Sequence, residues 1–363
     1  MTDTPSTPTK SNPTKSNPGR FFEDFRPGEE IVHATPRTVT EGDAALYTAL
    51  YGSRFPFESA ATAALDHGFE DAPLDDLLVF HIAFGKTVPD VSLNAVANLG
   101  YAGGRFGVPV YAGDTLSTVS RVVGLKENSN RKTGVVYVHS AATNQRGEPV
   151  LDYIRWVMVH KRDPESPAPE PLLPHLPEAV DAADLRLPEG VSFAGFDTAL
   201  TGSPHLWEDY QPGERIDHVD GMTVEEAEHM LATRLYQNTA RVHFNQLAQQ
   251  DSRFGRRLIY GGHVISLARA LSFNGLGNAV RLAAINAGSH TNPLFAGDTV
   301  FAWSEVVERL EVPGRRDVGA LRLKTVATRN QPADAFPEKD ENGKWASEVI
   351  LSFDYTVLMP RRA

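Results

Sequence analysis

At 363 residues, 41% hydrophobic and 22% charged, the chain is long enough for two domains of ordinary size, and it has no run of about 18 apolar residues that could span a bilayer. A net charge of -11 argues against nucleic acid as the main partner, because backbone phosphates demand a basic face. The absence of cysteine excludes disulfides, thiolate nucleophiles and Cys-based zinc or iron–sulfur sites.

The N-terminus carries Pro, Ser, Thr, Asn and Lys where a secretory leader would have an apolar core, so the cytoplasm is the expected compartment. Residues 1–18 contain "TKSNP" twice and no large apolar side chain after Met1, which predicts a disordered tail. A first domain is expected over residues 19–162. "FEDFRPGEEI", from Phe22, predicts a strand after a Pro-Gly turn, and "TVTEGDAALYTALY" a helix with an acidic start. In "HIAFGKTVPDVSL" the apolar run of a buried helix meets Pro89 after barely two turns, which predicts a short central helix in this half. Alternating stretches such as "TLSTVSRVVGL" then predict antiparallel strands. "GYAGGRFG", Gly100 to Gly107, lacks both the spacing and the βαβ surroundings of a nucleotide loop. Closely spaced prolines in residues 163–190 prevent helix and central strand and predict an interdomain linker.

The remaining residues, 191–363, repeat the first half. "FEDFRPGEEI" returns as "WEDYQPGERI" 185 residues on, "PVYAGDTL" as "PLFAGDTV" 184 on, and "LDYIRWVMVHKR" more loosely as "LSFDYTVLMPRR" 200 on. Nearly constant spacing in the same order means duplication of a whole fold, and the late growth in offset places an insertion, "NQPADAFPEKDENGK", in a long hairpin loop. "MTVEEAEHMLATRLY" repeats the acidic helix. "GGHVISLARALSFNGL" is apolar on nearly every side apart from Arg269 and predicts a buried central helix. Each half is therefore an α+β unit, an antiparallel sheet around one buried helix. No His/Asp/Glu spacing suggests a metal, and no GxSxG elbow a serine hydrolase.

The "PGE" opening, the "AGDT" turn before a strand and a helix that opens on glycine, in this order and twice over, resemble the MaoC-type dehydratase family of hotdog folds. The resemblance covers most of the chain apart from tail and linker. It implies a tandem (double) hotdog fold that hydrates and dehydrates an enoyl-CoA thioester, with coenzyme A as part of the substrate and no metal or other cofactor. It also implies a small-molecule acyl-CoA as partner, no nucleic acid or membrane, and a homodimer or higher homo-oligomer. "FFEDFRPGEEIVHATPRTVTEGDAALYTALYGSRFP", "QNTARVHFNQ" and "IYGGHVISLARAL" are most similar to members acting on a branched, carboxylate-bearing acyl group, mesaconyl-CoA.

The family's motif, roughly Asp-x-Asn-Pro-x-His, falls on Asn238, Ala240, Arg241 and His243, so the histidine is kept and the aspartate is replaced by an amide. In the first half the same positions hold Ser53 and Glu58. The resemblance thus implies a catalytic second half and a scaffold first half that helps wall an acyl-CoA tunnel. His243, with an unperturbed pKa of about 6.5, is the candidate to hold or transfer the water proton. By spacing alone it reads more often as an ordinary core or surface histidine. Gly262, where the buried helix starts, would offer its N–H to the thioester oxygen, or is a plain helix cap. Asn238 could hydrogen-bond the attacking water but not deprotonate it, or is equally a helix-terminating amide. Arg241, a cation at the family's proline position, is the candidate partner for a substrate carboxylate, or a surface arginine. Arg253, Arg256 and Arg257 are candidates for the coenzyme A phosphates, or a solvated loop. A thioesterase and a non-catalytic acyl-CoA-binding protein on the same fold stay open.

Overall fold

The computed structural model of the chain describes residues 15–362. The expected disordered tail lies largely outside them. At its end, the Pro18 carbonyl accepts a hydrogen bond from Asn94 Nδ2 at 3.0 Å.

Strands β1 (Glu30–Val32) and β2 (Arg37–Thr38) lead into helix α1 (Glu41–Tyr51). Thr40 Oγ1 accepts from Asp43 N at 3.2 Å while the Asp43 carboxylate accepts from Thr40 N at 2.9 Å, a reciprocal box that fixes where this helix begins. Short helices α2 (Pro56–Ser59) and α3 (Ala61–Asp66) precede the central helix α4 (Asp76–Thr87). Then come β3 (Ala95–Phe106), β4 (Thr115–Glu127), β5 (Thr133–Thr143) and β6 (Pro149–His160). The second half repeats this: β7 (Arg215–Thr223), α5 (Glu226–Leu235), α6 (Arg241–Phe244), central helix α7 (Gly261–Leu271), α8 (Phe273–Leu276), β8 (Arg281–His290), β9 (Thr299–Glu311), β10 (Val318–Arg329) and β11 (Val349–Pro360).

The strands form one antiparallel sheet in the order β1-β4-β5-β6-β3-β8-β11-β10-β9-β7, with β2 on β4. The order is a palindrome: the two halves join edge to edge through β3 and β8, where Tyr101 pairs with Gly288 and Arg105 with Ala284. Two curved sheets, each holding one helix, make the double hotdog. Duplicated residues meet across its centre, as they must on an internal two-fold axis. Tyr51 OH bonds Tyr236 OH at 2.7 Å and His81 Nε2 bonds Ser266 Oγ at 2.9 Å, both pairs 185 apart in sequence.

The expectation of a short first central helix is corrected. α4 runs 12 residues, all buried, because it begins at Asp76 rather than at His81, with Asp75 Oδ1 capping Leu77 N at 2.8 Å. Pro89 falls beyond it, in a wider turn (Val88–Ser92), where its missing N–H breaks no bond of α4. The 10 buried residues of α7 fit the all-round apolar pattern. The proline-rich connection is extended but docked. Val180 and Leu185 are buried against Val280, Val318 and Leu358, and Val180 N donates to Asn286 Oδ1 at 3.0 Å. The insertion between β10 and β11 folds back over Trp303 with Ala333, Phe336 and Trp345. Among the described residues no helix is long and apolar enough to cross a membrane.

Candidate active site

A cavity of about 340 Å³ lies between the halves, a volume suited to a small organic ligand. One wall comes from the first half, with Phe84, Asn98, Tyr101 and Arg155; the other comes from the second, with Asn238, His243, Tyr260, Gly261 and His290.

The second-half wall is built by the chain leaving α5. Gln237 adopts a left-handed φ of 54°, which turns the backbone inward. Asn238 N then donates to Thr233 O at 2.9 Å. The turn is pinned from the other half: Gly85 of α4 packs so closely on the Tyr236 carbonyl that a Cβ there would overlap it. Asn238 is buried, and its Oδ1 accepts from Ala240 N at 3.0 Å, so what it can still offer is its Nδ2 donors. α6 follows and carries His243, whose Nδ1–H donates to the Leu258 carbonyl at 2.9 Å. That bond fixes the tautomer and leaves the Nε2 lone pair free. The residue keeps some exposure through the cavity, but the surrounding protein desolvates its ring and lowers its pKa from 6.5 to about 4. The imidazole is neutral at pH 7, the state a base requires.

The amides at the start of α7 have no acceptor one turn earlier within the helix and form its positive end. Gly261 and Gly262 occupy its first two positions after Tyr260. Gly261 lines the cavity, and a Cβ on it would overlap the His290 ring; a Cβ on Gly262 would overlap Tyr260 and His81. The glycine on the cavity wall is therefore Gly261, one residue before the one expected, while Gly262 turns its Cα into the core. Tyr260 N donates to His229 Nε2 at 2.9 Å, which fixes the entrance to the helix. Burial holds His229 neutral, its pKa lowered to about 2. His290, at the end of β8, has an enclosed Nε2 without a partner, and burial followed by the nearby His243 lowers its pKa to about 4.

His243 and Asn238 are thus brought together with the start of α7. Arg241 is not with them: it is exposed at the first position of α6 and takes no part in the cavity wall, because the turn that points His243 inward points Arg241 outward. Arg253 and Arg256 are exposed near the mouth, stacked over Phe254 at 5.2 Å and Phe295 at 3.7 Å, and Phe254 itself lines the cavity. Arg257 is tied to Glu226 at 3.0 Å. In the first half Ser53, Glu58, Asp75 and Tyr47 surround a cavity of about 10 Å³, room for one water at most. Sequence reasoning missed Arg155, His290 and Asn98. The visible signal was Arg155 within "LDYIRWVMVHKR", where the duplicate strand has Tyr355.

A family model described as mesaconyl-CoA hydratase matches residues 3–337. The chain is 65% identical over 344 residues to a β-methylmalyl-CoA dehydratase of Chloroflexus aurantiacus, covering 95% of this chain and 98% of that protein. It is 58% identical to a mesaconyl-CoA hydratase of Cereibacter sphaeroides, covering 94% and 98%. Among solved structures, a MaoC domain dehydratase from Chloroflexus aurantiacus superposes with a TM-score of 0.94 at 64% identity, covering 96% of this chain and 100% of that one. A double-hotdog protein of Mycobacterium tuberculosis, 24% identical, superposes with a TM-score of 0.72 over 94% of this chain and 98% of that one, a likeness of fold alone.

Proposed function

The chain belongs to the mesaconyl-CoA hydratase family, and from that premise we infer that its inter-half cavity is where water adds to mesaconyl-CoA and leaves β-methylmalyl-CoA. The enzyme is a hydro-lyase. Its acyl-CoA substrate brings coenzyme A with it, and the reaction as we read it needs no metal and no other cofactor.

The observation that carries the reading is one cavity holding a neutral imidazole with a free Nε2 beside the positive end of a buried helix. In the hydration direction Nε2 of His243 takes a proton from water as its oxygen bonds the β-carbon. The electron pair of the double bond moves onto the thioester oxygen as an enolate. The amides of Gly261 and Gly262 stabilise that oxygen at the end of α7. The imidazolium then returns the proton to the α-carbon, so one water is added and no net proton is consumed. A histidine held at about 4 is a weak base but a strong acid once protonated, which suits the second step. Asn238 orients the water through Nδ2, and the neutral His290 supplies a further hydrogen-bonding nitrogen. We place the enzyme in the cytoplasm as a homodimer or higher homo-oligomer, with Arg253 and Arg256 toward the coenzyme A phosphates.

The test is spectroscopic. With mesaconyl-CoA, absorbance of the conjugated thioester should fall without release of thiol; thiol release would indicate hydrolysis, and binding without turnover a non-catalytic protein.

A further inference from the structure

The first-half wall carries a charge that the protein leaves unmatched. Arg155 lies in the middle of β6 with 0% exposure and lines the cavity. Its Nη2 donates to Thr87 Oγ1 at 2.7 Å and Ser92 Oγ at 3.3 Å. Nε and Nη1 have no partner. The guanidinium stacks on Phe84 at 4.3 Å, and among the described residues no carboxylate pairs with it. Asp90 bonds His33 Nδ1 at 2.9 Å instead. Tyr153, Tyr101 and Tyr260 act on the guanidinium, each kept neutral by burial, which raises its hydroxyl above the usual range, and His33, the other ionisable group it interacts with, is itself shifted toward the neutral form by burial. On the adjoining strand β3, Asn98 also lines the cavity with both Oδ1 and Nδ2 unpartnered.

Withdrawing a guanidinium from water without a counter-charge is unfavourable, and apolar replacements of buried charges often stabilise a protein. Such a residue needs a reason other than folding. The duplicate half shows that the fold itself has no need of it. Two hundred residues on, β11 carries Tyr355 at the equivalent position, a neutral side chain within 3.0 Å of Thr325 Oγ1. Arginine at 155 is specific to the wall that faces His243. Phe84, under the guanidinium, is 5.8 Å from the Tyr260 ring, and Tyr260 is 5.5 Å from the His243 ring. Cation and base therefore share one cavity, separated by two aromatic rings.

We propose that Arg155, with Asn98 beside it, receives the free carboxylate of the substrate. The anion completes the open donors of Nε and Nη1, and Asn98 Nδ2 adds a neutral donor. Binding then matches two charges that are each costly alone. An acyl group without the carboxylate leaves Arg155 unmatched in a cavity closed by acyl-CoA, so the same residue discriminates against it. This assignment rests on the hydration reading above and replaces Arg241 in the role the sequence suggested for it.

The test compares wild type, Arg155→Met and Arg155→Lys with mesaconyl-CoA and crotonyl-CoA, alongside thermal unfolding of each protein without ligand. The wild-type preference for mesaconyl-CoA in kcat/KM should fall at least about 100-fold in the Met variant, as expected when a buried charge loses its partner. Lysine should recover part of it, keeping the charge but not the fork. Unliganded Arg155→Met should unfold at the wild-type temperature or higher, because no internal ion pair is lost. An unchanged preference overturns the assignment. So does an equal loss for both substrates accompanied by a lower unfolding temperature, which would make Arg155 a structural residue. Wild type that hydrates crotonyl-CoA but not mesaconyl-CoA would instead refute mesaconyl-CoA as the substrate, independently of any variant.

Discussion

Replacing Glu58 by glutamine tests the division of labour between the halves, because Glu58 occupies in the first half the position that His243 occupies in the second. Glu58 Oε2 is enclosed without a hydrogen-bond partner. Burial, followed by the charges of Asp75 and Asp76, pushes its carboxyl well above the usual range, and Asp75 itself is raised to about 6. Arg281 pairs with Asp76 at 2.6 Å and makes no hydrogen bond to Glu58. A carboxyl whose folded pKa exceeds its unfolded value of about 4.5 contributes fully below that pH and loses its contribution as pH rises toward the folded pKa, at about 1.4 kcal/mol per unit. Each pH unit between 4.5 and the folded pKa therefore costs at most about 1.4 kcal/mol, and less once the partial exposure of the residue is allowed for. Glutamine cannot ionise. Glu58→Gln should match wild type in urea unfolding near pH 4.5 and be the more stable of the two at pH 7.5, the gap widening as pH rises, with hydration rates within about twofold. A gap that does not grow with pH, or a variant less stable at pH 7.5, would show that Glu58 is held ionised by a partner. A drop in turnover comparable to that of His243→Ala would show that the first half contributes acid–base chemistry.

Alanine at His243 should lower kcat at least about 100-fold with the circular dichroism spectrum retained, the scale of lost acid–base catalysis; survival within a few-fold would remove His243 from the mechanism. Because His243 is held at about 4, kcat/KM should stay flat as pH falls from 8 to about 5 and decline only toward 4, and a midpoint near 6.5 would mean a solvated ring. The same depressed pKa costs stability as pH falls below 6.5, so rates are best read after brief transfer to acid. Gly261→Ala places a methyl group where His290 now lies and should reduce kcat at least about tenfold by displacing that ring, although alanine is the better helix former; a fully active variant would show that the ring moves freely. Arg241→Met should leave the ratio of mesaconyl-CoA to crotonyl-CoA turnover within about twofold, since Arg241 is exposed; a large change would restore the assignment suggested by sequence.

The duplication was legible in the sequence because the turns that begin and end strands use few residue types, so "PGE" and "AGDT" could recur at nearly constant spacing. The apolar run of α7 announced a buried helix by having no polar face. That His243 and Asn238 come together was legible because the motif is local: the six residues of one turn and one short helix place them on the same cavity wall. The extent of α4 was not legible from Pro89, because a proline marks where a helix ends and this one starts upstream at Asp76 under an aspartate cap. Which cation meets the cavity could not be read locally. Arg241 is two residues from His243 in sequence and points away from the cavity. Arg155 is 88 residues before His243 and enters the cavity wall only because β3 and β6 curve round α4 and the halves join at β3 and β8. Sequence fixes side-chain type and local direction. Whether a buried charge has a partner depends on everything packed around it, and that is decided only when the two sheets close.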